Sequence, residues 1–249
     1  MDKIYGISPS NRLAIKGLYI LNLLAVMPSW YFIKSAYPGR NIPSPVVLAL
    51  LNIGLGILVS TVALSFSSRI LTRIKLDPFD FRSLQHIVHP AIAVGILLGL
   101  ASLALEKLIP LPPGFASHLH PYMLPKSAPL WLHLSRCSYI STEVLIRLCL
   151  FPFILLLFGN DFSSSQSKLN SFNVWIAILV SSFITGLVWI GGFSLLSGVS
   201  RLMMLIMLFE VVISEMIFCW LFLRNGFWAS ALAGLIACLV TTSGSFLLH

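Results

Sequence analysis

Apolar segments of about 20 residues recur along almost the whole chain, and this is the length an α-helix needs to cross the hydrocarbon core of a bilayer. Of the 249 residues, 57% are hydrophobic and 10% are charged, whereas soluble domains carry about 25% charged residues. Little of the chain is left for a separate soluble domain. The sequence therefore predicts an all-α integral membrane protein, built as a polytopic bundle of transmembrane helices.

The hydropathy pattern predicts about seven transmembrane helices, within a range of six to eight. The predicted segments are 15–33, 46–66, 87–105, 129–158, 174–197, 202–223 and 226–247. The fourth segment is longer than one upright span requires, so either it is tilted or its first residues form a shallow helix. The chain is expected to form one membrane domain, with N-terminal membrane helices at 1–127 and core helices at 128–249.

Lysine and arginine residues between these segments and at their ends are unevenly divided between the two sides of the predicted bundle. Nine lie on the side of the N-terminus: Lys3, Arg12, Lys16, Arg69, Arg73, Lys75, Arg82, Lys168 and Arg224. Five lie on the other side: Lys34, Arg40, Lys107, Lys126 and Arg201. Because positive loops stay on the cytoplasmic side, the sequence predicts a cytoplasmic N-terminus.

The net charge of +8 is distributed over many loops and forms no basic stripe, which argues against nucleic acid as a partner. Positive loops of a membrane protein account for this charge more simply. The most basic loop, SSRILTRIKLDPFDFRSLQH, lies between the second and third predicted helices. It is expected to meet anionic lipid headgroups, so the lipid bilayer is the first predicted partner.

Five ionisable side chains are predicted inside membrane helices, where each costs at least a few kcal/mol unless it finds a partner. They are Arg136, Glu143, Arg147, Glu210 and Glu215. In TEVLIR, Glu143 precedes Arg147 by four residues, the favourable order for an ion pair on one helical face. Glu210 and Glu215 point about 140° apart, so at most one faces a given neighbour. Two readings stay open: an ion-pair network that fixes helix packing, and a site in which Glu143 activates water.

Neither cysteine nor histidine spacing predicts a metal site or a cofactor. The four cysteines fall in apolar segments without a CxxC spacing and are expected to be small packing residues: Cys137, Cys149, Cys219 and Cys238. Zinc binding would require His86 and His89 to meet His118 and His120. These pairs lie in loops predicted at opposite ends of the third helix, so interfacial histidines are the simpler interpretation.

The stretch TEVLIRLCL resembles the first motif of the CAAX-protease and bacteriocin-processing family of intramembrane endopeptidases, Glu-Glu-x-x-x-Arg within a membrane helix. Glu143 and Arg147 match the second glutamate and the arginine, while Thr142 stands in place of the first glutamate. The segment SSFITGLVWIGG resembles the second motif, with Thr185 where phenylalanine is expected and Trp189 where histidine is expected.

The segment CWLFLRNGFWASALAGLIACLV resembles the last helix pair of that family, with Trp220 and Gly226 matching its turn. Gly234 and Cys238 occupy the positions where the family keeps polar residues. The resemblance spans roughly residues 128–240. It implies a chemistry in which glutamates and histidines activate water and a final polar residue stabilises the oxyanion. Most of those groups are absent from this chain.

Our leading hypothesis is a degenerate relative of these proteases that has lost catalysis and acts as a membrane binding or assembly factor. Its former substrate groove would hold a partner membrane protein or a lipid or prenyl-like chain. One alternative is an active endopeptidase that uses Glu143 with Glu210 or Glu215. A second is a small proton-coupled carrier. The resemblance implies a bacterial or plastid-type inner or cytoplasmic membrane.

Overall fold

The computed structural model describes residues 7–20, 44–79, 84–108, 143–158, 172–194 and 201–248. Within these ranges the chain forms helices and no strands, which confirms the all-α prediction. The helices are α1 (9–20), α2 (Pro45–Ile74), α3 (Leu84–Leu108), α4 (Val144–Leu157), α5 (Phe172–Ser194), α6 (Arg201–Asn225) and α7 (Phe227–Leu248). Arg136, Cys137, Thr142, His118 and His120 lie outside the described residues.

Three of the described helices are long and apolar enough to cross a membrane: Leu84–Leu105, Met204–Asn225 and Phe227–Gly244. Large apolar side chains on these helices face outward, for example Leu97 and Phe209, which are 67% and 65% exposed. Such exposure is unfavourable in water and favourable in lipid. The structure thus supports a membrane-embedded helical protein, while the full count of seven crossings remains a prediction.

Helix α2 continues to Ile74, eight residues beyond the predicted end at 66, so part of the predicted basic loop is helical. Ile70, Leu71 and Ile74 are buried on one side of this extension, while Arg69 and Arg73 are exposed on the other. The end of α2 is therefore amphipathic, and its buried apolar side stabilises the helix beyond the apolar segment. The helix ends at Lys75, whose left-handed conformation (φ 53°) allows the Leu76 N–H to donate to the Leu71 carbonyl in a Schellman motif.

Helix α4 begins as a π-helix over Val144–Leu150 and becomes α-helical at Phe151–Leu157. The Phe151 N–H donates to the carbonyl of Ile146, five residues back, instead of the usual four. Short π segments widen a helix locally and often occur at functional sites. This segment carries Arg147, so this buried residue lies on the widened turn.

Close helix contacts depend on glycine. Gly95 and Gly99 of α3 face α7, where a Cβ on Gly95 would lie 2.7 Å from the Ala233 carbonyl oxygen. A Cβ on Gly99 would lie 2.7 Å from the Val240 Cβ. Since residues further along α3 meet residues further along α7, these two helices run in the same direction. Small residues allow such close contact between membrane helices.

The turn between α6 and α7 contains one residue, Gly226, with φ +87°, a conformation that favours glycine. The two helices that it joins are in contact with each other. Immediately after it, the Phe227 N–H donates to the Pro78 carbonyl at 2.8 Å. The segment that follows α2 is therefore attached to the α6–α7 turn.

Candidate functional site

Arg147 is the largest fully buried side chain among the described residues. It projects from the π-helical part of α4 toward α6 and α7, and its polar contacts within the described part of the chain are with other buried residues. A guanidinium always carries its charge in proteins. Its burial in an apolar bundle is therefore tolerated only because other helices supply compensating groups.

Two carboxylates face this guanidinium. Arg147 Nη2 lies 2.5 Å from Glu215 Oε2 on α6, and Arg147 Nε lies 3.6 Å from Glu143 Oε2 one turn earlier on its own helix. The contact with Glu215 is the shorter of the two ion pairs. The side chains of both glutamates are at most 8% exposed. The pair predicted from TEVLIR is thus part of a triad that links α4 to α6.

Neutral groups complete the site. Ser230 of α7 donates to Glu143 Oε2 at 2.6 Å, and its oxygen accepts from Arg147 Nε at 3.4 Å. On α6, Cys219 Sγ lies 3.5 Å from Arg147 Nη1, and the Phe218 ring centroid lies 5.6 Å from the Arg147 Cζ. Ser181 of α5 lies 3.7 Å from the same sulfur atom. We call Arg147, Glu143, Glu215, Ser230 and Cys219 the arginine cluster.

Glu210 does not belong to the arginine cluster. Its Oε1 accepts a hydrogen bond of 2.6 Å from Ser102 of α3, so Glu210 and Glu215 contact different helices, consistent with their angular separation. Of the two candidate partners for Glu143, the structure brings Glu215 to the same guanidinium. His86 and His89 are exposed in the first two turns of α3. Among the described residues, no group of three His, Cys, Asp or Glu could hold a metal ion.

Two residues aligned with the family's later motifs, Thr185 and Gly234, lie further along their helices than the serines of the site. Thr185 lies one turn after Ser181 and is buried, with its hydroxyl donating to the Ser181 carbonyl at 2.9 Å. Gly234 lies one turn after Ser230 and is also buried. Trp189 lies on α5, but its side chain is outside the described part of the structure.

The cysteines differ in their chemistry. Cys149 and Cys219 are free, and Cys219 is fully buried, so the prediction of a packing residue is confirmed for Cys219, which also contacts Arg147. Cys238 is disulfide-bonded, so the same prediction is wrong there. A disulfide joins residues that the fold brings to within about 7 Å, and sequence spacing alone does not reveal such a pair.

Two members of the site were missed from the sequence, Ser230 and Ser181. Each lies in an apolar helix, where a hydroxyl must find a partner, so its presence alone was an available signal. Ser230 lies among small residues in ASALAG. Its role depends on the position of α7 relative to Glu143, and a hydropathy pattern does not predict how helices pack.

No family model, no curated protein and no solved structure matches this chain. The geometry of the arginine cluster is therefore the main ground for assigning a function.

Replacing Ser230 with alanine should lower the free energy of unfolding by about 1–3 kcal/mol, because the buried Glu143 carboxylate loses its hydroxyl donor. The measurement is unfolding of the purified protein in detergent with increasing SDS, followed by tryptophan fluorescence. Ser182 supplies the matched control. It is also fully buried, but its hydroxyl has no hydrogen-bond partner among the described residues.

Replacing Ser182 with alanine should leave stability unchanged or raise it, since an unsatisfied buried hydroxyl is removed. Equal losses for the two serines would show that Ser230 contributes only packing to the arginine cluster.

Proposed function

We propose that the protein is a non-catalytic membrane protein that binds or helps to assemble another membrane component, and that the arginine cluster holds its helices in register. The main support is that the carboxylates of Glu143 and Glu215 both face Arg147. A general base needs a free lone pair within about 3 Å of its water. Here Glu143 Oε2 accepts from Ser230 and lies 3.6 Å from Arg147 Nε, so this oxygen is already engaged in contacts between the helices.

The surroundings of the arginine cluster also favour a structural role. Arg147 is 0% exposed and Glu143 is 1% exposed, so both are shielded from bulk solvent in this conformation. At the aligned position on α7, Gly234 has no side chain that could stabilise an oxyanion. On this proposal the protein is a degenerate relative of the CAAX-type intramembrane proteases. Its partner is a membrane protein or a lipid or prenyl-like chain in the former substrate groove.

One observation favours a second candidate, an active intramembrane endopeptidase. Glu143 and Glu215 converge from two helices on one guanidinium, which is the pairing such an enzyme would need if a substrate displaced Ser230 or Arg147 from one carboxylate. In that case Glu143 would act as the general base, with Arg147 stabilising negative charge during cleavage.

The two candidates are separated by incubating the purified protein in liposomes with a panel of labelled membrane peptides, with and without prenyl groups. We expect no cleavage above background from the wild-type protein or from the Glu143→Gln variant. Cleavage that falls by about 10²-fold or more in Glu143→Gln, the usual contribution of a general base, would establish the enzyme instead.

Glu210→Gln is the matched control for this assay, because it removes the same carboxylate chemistry from α6 outside the arginine cluster. A peptidase acting through Glu143 and Glu215 should keep its activity in this variant. Activity that disappears equally in Glu143→Gln and Glu210→Gln would instead indicate a general loss of folding, and activity that persists equally in both would indicate a contaminating protease.

We also propose that the end of the bundle carrying Arg12, Arg69, Arg73 and Arg224 faces the cytoplasm. Arg12 donates to Ser68 of α2 at 2.7 Å, which brings the start of α1 to the end of α2. Asn225 donates to the His86 carbonyl at 2.7 Å, which brings the α6–α7 turn to the start of α3. The clustering of positive charge at one end is what supports this orientation.

A further inference from the structure

A groove of about 610 Å³ lies between the last turns of α2 and the α-helical half of α4, outside the arginine cluster. Its apolar part is formed by Phe66, Phe153 and Leu156, and the two phenylalanine rings lie 5.9 Å apart. Phe66 and Phe153 are 47% and 38% exposed. The groove is open to the surroundings of the bundle and is of the size of small-molecule sites.

The other part of the groove is positively charged. Arg69 and Arg73, one turn apart on α2, line it and are exposed. Neither arginine makes an ion pair within the described part of the chain. A third arginine, Arg12 of α1, is held at the same place by its hydrogen bond to Ser68, which also lines the groove. The described residues that line the groove include no acidic side chain.

The position of these charges along α2 matches the depth of a lipid headgroup. Arg73 and Arg69 lie one and five residues before the helix end at Ile74, or roughly 2 and 8 Å along its axis. Phe66 lies roughly 12 Å from that end, at the depth where acyl chains begin. The groove therefore has a charged part near the helix end and an apolar part further along α2, an arrangement that complements an amphiphilic ligand.

From this arrangement we propose that the groove binds one anionic phospholipid. Arg69 and Arg73 contact its phosphate, and Phe66, Phe153 and Leu156 contact the first part of its acyl chains. An arginine fork suits a phosphate because it donates two parallel hydrogen bonds. The bound lipid would fill the groove between α2 and α4. This proposal does not depend on whether the arginine cluster is catalytic.

The test is native mass spectrometry of the full-length protein in detergent, titrated with phosphatidylglycerol or with phosphatidylcholine of the same chains. Each arginine near anionic lipid strengthens binding by about fivefold, so the first phosphatidylglycerol should bind about 25-fold more tightly than phosphatidylcholine. The double variant Arg69→Gln/Arg73→Gln should bind the two lipids equally. Phe66→Ala/Phe153→Ala should weaken the binding of both lipids and keep their ratio.

A matched control is Arg201→Gln/Arg224→Gln, which removes the same charge from exposed arginines outside the groove. It should keep the 25-fold ratio. The proposal is overturned if this control loses the preference equally, if Arg69→Gln/Arg73→Gln retains it, or if inorganic phosphate at equal concentration displaces the lipid. If the double variant does not fold, the single variants Arg69→Gln and Arg73→Gln must each lower the ratio about fivefold.

Discussion

Replacing Arg147 with methionine is expected to lower the free energy of unfolding by about 3–5 kcal/mol, the usual cost of breaking a buried pair by removing one partner. The substitution leaves Glu143 and Glu215 buried without their shared cation. Methionine keeps an unbranched apolar side chain as far as the position of Nε, so the substitution removes the charged group while it retains the packing of the stem. Unfolding of the purified protein in SDS, followed by tryptophan fluorescence and circular dichroism, measures it.

Two further variants make this result specific. Arg201→Met removes an exposed arginine at the start of α6 and should change stability by less than about 0.5 kcal/mol. The triple variant Glu143→Gln/Arg147→Met/Glu215→Gln should recover part of the loss, since no uncompensated charge remains. If Arg147→Met were as stable as the wild-type protein, the arginine cluster would not be what holds α4 to α6 and α7.

Placing valine at both Gly95 and Gly99 is expected to destabilise the protein by at least about 2 kcal/mol, because overpacking costs about 1–3 kcal/mol per site. On each glycine even a Cβ would approach α7 to 2.7 Å, and the carbonyl oxygens of Ala233 and Ala237 cannot rotate away. The helices would have to separate along the contact. The same SDS unfolding experiment measures the loss.

Gly54 of α2 is the control for this contact, because a Cβ there has nothing within 4 Å. Gly54→Val changes the same residue type in the same kind of helix and should be close to neutral. Similar losses at Gly54 and at the α3–α7 contact would mean that separation of α3 from α7 is not the cause of the effect.

Several parts of this architecture follow from the sequence because they are local. The hydropathy pattern located the later helices to within three residues, as for the segment predicted at 202–223 and found at Arg201–Asn225. The four-residue spacing brought Glu143 to Arg147, although the helix there is a π-helix. Spacing on one helix constrains which side chains can meet, whatever the rest of the fold does.

Other parts depend on how helices rotate against one another. The sequence indicated that Glu210 and Glu215 face different neighbours, but the choice of Glu215 for Arg147 is set by the packing of α6 on α4 and α5. The end of α2 was placed too early because Arg69 and Arg73 lower the mean hydropathy. Ile70 and Leu71 on the opposite side nevertheless stay buried.

The hydrogen bond between the Phe227 N–H and the Pro78 carbonyl sets a parity rule for the topology of the chain. Two residues in contact outside the bilayer lie on the same side of it, so the chain crosses an even number of times between them. Helices α3 and α6 are both long and apolar enough to span, which accounts for two crossings. Any further crossings between Pro78 and Phe227 must come in pairs.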